Sequence, residues 1–216
     1  MAADGILIRF AAIELMLMNI VLMFSVILVS VAADQVTKIL AVNLLKPAGT
    51  FPIMEGALHL TYSENTGAAF GMLKDARWVF MVFSSVAIIA ILAYFFIARP
   101  KSRTVIISLG MILGGGIGNM IDRVFQGYVV DFIDFRIINF AIFNVADSCI
   151  TVGAAILILS FLINEIGQAL RKKGKKAEQS SDVTGSAAGT GQEIRGTADS
   201  NIGETGEDHE NDRGRQ

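Results

Sequence analysis

The sequence predicts an all-α membrane protein: four transmembrane helices carrying a small extracytoplasmic β element. Three observations lead there. Of 216 residues, 53% are hydrophobic and only 18% are charged, too apolar for an ordinary soluble domain of this size. Four stretches are long enough, at about 20 apolar residues, to cross a hydrocarbon core of about 30 Å as helix. The ionisable residues gather at the ends of those stretches, where membrane helices meet water.

The first span covers 15–33, between Glu14 and Asp34. Arg9 and the small residues Val31-Ala32-Ala33 invite comparison with a cleaved signal peptide. An apolar run from 15 to 33 is longer than the usual core of such a peptide, about 7–15 residues, and three more spans follow, so it is read as retained. The second span, 78–98, lies between Arg77 and Arg99; the third, 104–121, between Arg103 and Asp122; the fourth, 145–163, is closed by Glu165 and Arg171. In the third span Gly110, Gly114 and Gly118 repeat at four-residue spacing, with Gly115 and Gly116 between them. That pattern lets helices pack closely. A phosphate-cradling loop would need a following Lys-Ser/Thr, which is missing.

Basic residues set the orientation. Arg99, Lys101 and Arg103 crowd the turn between spans two and three, and Arg171, Lys172, Lys173, Lys175 and Lys176 follow span four. Both places are expected on the cytoplasmic side, with the N-terminal segment 1–14 and the C-terminus. Segments 34–77 and 122–144 are then outside. In the first of these, Leu58, Leu60 and Tyr62 alternate with His59 and Thr61, the period of a strand, after Pro47, Gly49, Pro52 and Gly56 have punctuated the chain. The membrane core ends near 170. Residues 1–173 carry a net charge of +2 and residues 174–216 a net charge of −4. The second stretch is rich in Gly, Ser, Thr, Glu and Asp, and is expected to be a disordered acidic cytoplasmic tail.

Composition also excludes functions. A net charge of −2 argues against a generally basic nucleic-acid binder. Cys149 is the sole cysteine, so an internal disulfide and a Cys-based zinc site are ruled out. His59 and His209 do not suggest a metal centre, and no cofactor is called for.

Charged groups at membrane depth cost on the order of 2.5–3.5 kcal/mol each and so need a reason. Asp34, Lys38, Asp122, Arg123, Asp131, Asp134 and Asp147 all fall at or just beyond the outer span ends. Asp147, in Phe143-Asn144-Val145-Ala146-Asp147-Ser148, is placed to cap a helix. Asp131 has apolar neighbours, which raises a carboxyl's pKa. Asp134 is its rival, and on an extended chain the two point to opposite faces. The residues themselves do not choose between them. Two carboxylates from different segments that share a proton can hydrolyse a peptide without metal or cysteine. Asn119, Asp122 and Arg123 share a helix face, and Asp34 and Lys38 are an acid-first pair four apart. Asn65-Thr66-Gly67-Ala68-Ala69-Phe70-Gly71 reads either as a plain turn or as backbone that can approach an extended ligand. Ser148 or Cys149 with Lys38 as base is a weaker alternative. Two other classes compete: a small proton-coupled transporter, which would need polar residues across the bilayer, and a scaffold acting through the tail.

Taken in order, five motifs resemble the lipoprotein signal peptidases, the type II signal peptidases of bacteria. They are Asp34-Gln35-Val36-Thr37-Lys38, Asn65-Thr66-Gly67-Ala68-Ala69-Phe70-Gly71, Gly118-Asn119-Met120-Ile121-Asp122-Arg123, Val129-Val130-Asp131-Phe132 and Phe143-Asn144-Val145-Ala146-Asp147-Ser148. The resemblance covers residues 15–170 and leaves out the tail. It implies a monomeric aspartic endopeptidase of the bacterial cytoplasmic membrane, working among membrane lipids near the outer face. Its substrate would be a diacylglyceryl-modified prolipoprotein, cut just before the lipidated cysteine. The catalytic pair carries over to Asp131 and Asp147, which selects Asp131 over Asp134. Asn65, Gly67, Asn119, Asp122, Arg123 and Asn144 match positions that shape the site, and Asp34 and Lys38 a further polar pair.

Overall fold

The computed structural model describes residues 2–67 and 77–193. Helix α1 (Ala2–Leu40) passes through a wide helical turn, Ala41–Leu45, into the short α2 (Lys46–Ala48). Strands β1 (Thr50–Met54) and β2 (Leu58–Asn65) follow, then α3 (Arg77–Ala98), α4 (Arg103–Phe125), β3 (Val129–Phe135) and α5 (Val145–Glu193). The four long helices are each long and apolar enough to cross a membrane, as expected. The chain divides into two units, Met1–Ile163 and Asn164–Gln216, the second being, over its described residues, the remaining length of α5. The helical backbone thus runs past 163 and into the segment read as tail, through a Lys-, Ala- and Glu-containing stretch of good helix formers; residues 194–216 lie outside the described residues.

Helix α4 is central. In its most apolar window 56% of residues are buried, against 17%, 6% and 11% for the other three spans. The remaining surface is lipid-facing in character, with Leu28, Phe83 and Ile97 fully or largely exposed. Met23 of α1, Phe95 of α3 and Val105, Ile106, Leu109 and Leu113 of α4 form the interior cluster. The glycine stripe explains how α1 and α4 come so close. A methyl group on Gly114 would sit 2.6 Å from Ser30 Cβ, and one on Gly110 2.9 Å from Val26 Cβ.

One expectation is corrected in detail. Hydropathy ends the first span at 33, but α1 continues as helix to Leu40. Asp34 and Lys38 end the apolar run in sequence without ending the helix, because they are buried inside the protein rather than turned to lipid.

The β element is a three-stranded antiparallel sheet in the order β1-β2-β3. Strands β1 and β2, in the segment 34–77 where a β element was expected, form a hairpin turning at Gly56 with φ +70°. Strand β3 comes from segment 122–144. It pairs Asn65 with Val129, Ser63 with Asp131 and His59 with Asp134. Val130 and Phe132 pack the sheet onto Ala41 and Leu45, just beyond α1. The sheet therefore fixes Asp131 relative to the C-terminal end of α1.

The close approach of α1 and α4 carries a test. Gly114→Ala should lower the thermal unfolding midpoint in detergent, since overpacking costs about 1–3 kcal/mol. Gly116→Ala, whose new methyl would find Ile88 Cγ1 at an ordinary 3.8 Å, should be tolerated. Equal tolerance of both would contradict the packing described.

Candidate active site

The start of α5 organises the site. A helix leaves its first backbone N–H groups without intrahelical partners. Here Asn144 precedes the helix and its Oδ1 accepts from the Asp147 backbone N–H at 2.9 Å. Asp147 Oδ2 in return accepts from the Asn144 backbone N–H at 3.2 Å. This reciprocal capping box, with Asp in the returning position, holds the Asp147 carboxylate at the positive end of the helix. A further orphan donor, the Ala146 N–H, is taken by Asp34 Oδ1 at 3.0 Å, 112 residues away in the chain.

The Asn144 side chain then reaches the second acid. Its Nδ2 donates to Asp131 Oδ1 at 2.7 Å and to Asn119 Oδ1 at 3.1 Å. Asp131 Oδ2 accepts from Asn65 Nδ2 at 2.9 Å, and Asn65 Oδ1 is held by the Gly67 N–H at 2.9 Å. Asn119 Nδ2 donates to Asp147 Oδ1 at 2.8 Å. Asp131 and Asp147 are thus tied to the same two asparagines' network, through Asn144 directly in both cases. Asp131 is only 2% exposed, while Asp147 is half-buried. Burial pushes the Asp131 carboxyl up to about 7; donation from Asn65 and Asn144 opposes this, and the neighbouring Asp147 charge adds to it.

Beneath the pair lies a buried ion cluster. Lys38 Nζ donates to Asp34 Oδ2 at 2.8 Å, to Asp122 Oδ2 at 2.9 Å and to Asn119 Oδ1 at 2.9 Å. Asp122 Oδ2 also accepts from the Val130 N–H at 3.1 Å, next to Asp131 on β3. Gln35 Nε2 reaches Asp34, Asp122 and the Gly118 carbonyl at 3.1–3.2 Å. Gly118 makes the space: a methyl there would lie 2.5 Å from Asp34 Oδ2. Arg123 closes one side, with Nη1 3.3 Å from the Asn119 carbonyl and its guanidinium over the Phe80 ring.

The network joins Asp34, Lys38, Asn65, Gly67, Asn119, Asp122, Arg123, Asp131, Asn144 and Asp147 from five segments of chain. Ala68, Ala69, Phe70 and Gly71 of the motif that begins at Asn65 lie outside the described residues. Gln35 was quoted in the sequence only as part of a motif; its three contacts are invisible without the fold, although a polar residue one place after a buried acid was a hint. Asp134 faces elsewhere and accepts from Thr61 and Arg136. The Lys38 amine spends its N–H bonds on Asn119 and two acids, and Ser148 Oγ donates to the Asn144 carbonyl at 3.0 Å, so no Lys–Ser pair is assembled. Among the described residues no three His, Cys, Asp or Glu side chains converge where a metal could sit.

Chemically, the upper part of this cluster offers two carboxyls in different environments, one at a helix N-terminus and one titrating near neutrality. The lower part is acceptor-rich and saturated by one ammonium, a structural role.

Residues 26–163 match the family model described as signal peptidase (SPase) II. The lipoprotein signal peptidase of Halothermothrix orenii is 44% identical over 138 residues, which is 64% of this chain and 93% of that protein. That of Caldanaerobacter subterraneus subsp. tengcongensis is 52% identical over 124 residues, 57% of this chain and 84% of that protein. A solved bacterial membrane enzyme, determined in meso at 2.3 Å, superposes with a TM-score of 0.62 at 32% identity, covering 66% of this chain and 88% of that one.

Removing the ammonium tests the ion cluster. Lys38→Met leaves Asp34 and Asp122, both fully buried, without their cation and should cost about 3–5 kcal/mol of stability. An unchanged unfolding midpoint in detergent would show that Lys38 does not hold this cluster together.

Proposed function

The chain belongs to the signal peptidase II family, and from that premise we propose that it is a membrane-embedded aspartic endopeptidase that cuts diacylglyceryl-modified prolipoproteins just before the lipidated cysteine. Family membership supports removal of signal peptides from bacterial lipoproteins at the inner membrane. The observation that carries the finer reading is the joint hold of Asn144 on Asp131 and Asp147. Two acids bound to one residue, with one of them titrating near 7, are poised to share a proton.

In this reading Asp147 is ionised and takes a proton from the attacking water, whose oxygen forms the new bond to the scissile carbonyl carbon. Asp131 is protonated at rest and donates to the carbonyl oxygen. As the tetrahedral intermediate collapses, the C–N bond breaks, the leaving amine takes the proton held by Asp147, and a hydroxyl of the intermediate gives its proton back to Asp131, so the pair again holds one proton between two carboxyls. Asn65, Asn119 and Asn144 hold both carboxyls in place, so little reorganisation is needed as charge moves. The cluster lies at the outer end of α1 and α4 under the basic-residue orientation, which keeps both termini cytoplasmic. A lipidated substrate can then enter sideways, its acyl chains in hydrocarbon and its peptide at the polar site. A transporter fits less well: below Gly118 the interior is filled by Leu113, Leu109, Ile106 and Met23, while Ser108 bonds its own helix at the Thr104 carbonyl.

Asp131→Asn and Asp147→Asn should each lower cleavage of a lipidated prolipoprotein peptide by roughly 10²–10⁴-fold, with thermal unfolding little changed. Asp134→Asn should remain active; if it is the variant that abolishes turnover, Asp131 is the wrong acid.

The pH profile gives an independent check. With Asp131 acting as acid, kcat/KM should fall as pH rises through about 7. Asn65 stabilises the carboxylate form, so Asn65→Ala should raise the Asp131 pKa and move this alkaline limb to higher pH. A limb that stays in place, or moves down, contradicts the assignment of the acid.

A further inference from the structure

A cavity of about 390 Å³ lies far from the carboxylate cluster. Its walls are Leu15 and Ile20 of α1 and Phe95 and Phe96 at the end of α3, and its rim carries Arg99 and Lys101. Asn19, which is buried, donates from Nδ2 to the Pro100 carbonyl at 3.4 Å and holds the α3–α4 turn against α1. Arg99 adopts a left-handed backbone, φ +47°, at the end of α3. Glycine fits that position without strain, so the arginine is held there at some cost. Arg99 and Lys101 are both exposed. Among the described residues the ion pairs involve Lys38, Lys46 and Arg136, and neither rim cation is in one. No carboxylate lines the cavity.

Depth identifies what would fill it. Asn19 and Lys38 stand on the same helix, and at 1.5 Å per residue they are about 28 Å apart, close to the thickness of the hydrocarbon core. The cavity therefore sits at the opposite bilayer interface from the carboxylates, with its apolar walls at acyl depth and its cations at headgroup depth. We propose that this groove binds one anionic diacyl phospholipid of the cytoplasmic leaflet, its phosphodiester between Arg99 and Lys101 and an acyl chain between α1 and α3. Charge and burial select it: a zwitterionic lipid gives the two cations no net counter-charge, and a water-soluble anion leaves the aromatic and aliphatic walls uncovered.

Native mass spectrometry of the full chain, released from detergent and titrated with phosphatidylglycerol or with phosphatidylcholine of the same chains, tests this. The expected result is one tightly held phosphatidylglycerol, with phosphatidylcholine weaker and glycerol phosphate unable to displace the lipid. Arg99→Gln with Lys101→Gln should weaken phosphatidylglycerol roughly 30-fold, from two basic groups at an anionic surface. Leu15→Trp, which fills the groove and keeps the charges, should also expel it. Arg171→Gln with Lys172→Gln, at another basic span end, should not. Equal binding of the two lipids by the unaltered protein overturns the proposal even if the groove variants fail to fold. So does equal loss in the Arg171/Lys172 control, or displacement by glycerol phosphate.

Discussion

The site depends on a single buried ammonium. Lys38 is 3% exposed and faces two carboxylates that are fully buried. Moving such ions out of water costs several kcal/mol each, and only close pairing with further hydrogen bonds recovers it. Each acid finds both. Asp34 takes the Ala146 N–H and Asp122 takes the Val130 N–H, so the same cluster ties α1 to the start of α5 and to β3. Those are the elements that carry Asp147 and Asp131. The ion cluster positions the upper pair: it decides where two remote stretches of backbone must lie.

From there the two upper acids acquire different characters through local geometry. Asp147 closes a capping box with Asn144 at the N-terminus of α5. Asp131 lies on a strand whose neighbours Val130 and Phe132 are buried, which favours the neutral acid. Asn144 addresses both with different groups, its backbone N–H to one and its amide to the other. A donor held between the acids stabilises whichever is ionised, so it supports the exchange of a proton without fixing where the proton rests.

Much of this was legible in the sequence. The four spans follow from hydropathy, and the tight α1–α4 contact from Gly110, Gly114 and Gly118. A β element followed from the alternation at Leu58–Tyr62; its pairing with Thr50–Met54 as a hairpin did not. What sequence alone missed has a common cause. The first span was ended at 33 because a charge stops an apolar run, yet Lys38 neutralises Asp34 from four residues on, and the partners that let the pair be buried, Asn119, Asp122 and the Ala146 N–H, lie 81 or more positions away in the chain. Strand β3 was not foreseen as the third strand because Val129–Phe135 is too continuously apolar to alternate, which is what a strand buried on one face by α1 and crossed by an acid looks like. Gln35 was passed over because its value lies in contacts to two acids and a carbonyl that no local pattern encodes.

The choice between Asp131 and Asp134 shows how far local physics goes. The alternation of a strand sends the two to opposite faces, and the structure does so. On its face Asp134 meets Arg136 and Thr61; burial alone would raise its pKa, but these donors outweigh it and leave the carboxyl below its ordinary value. On the other face Asp131 meets only neutral amides and another acid, with no cation in direct contact. Two aspartates three residues apart are thus shifted in opposite directions from the ordinary carboxylate range. An acid already paired with arginine is locked as a carboxylate and has no proton to give at physiological pH. The proposed mechanism needs one proton on one of two carboxyls, and the aspartate that the sheet's register with β2 places away from Arg136 is Asp131.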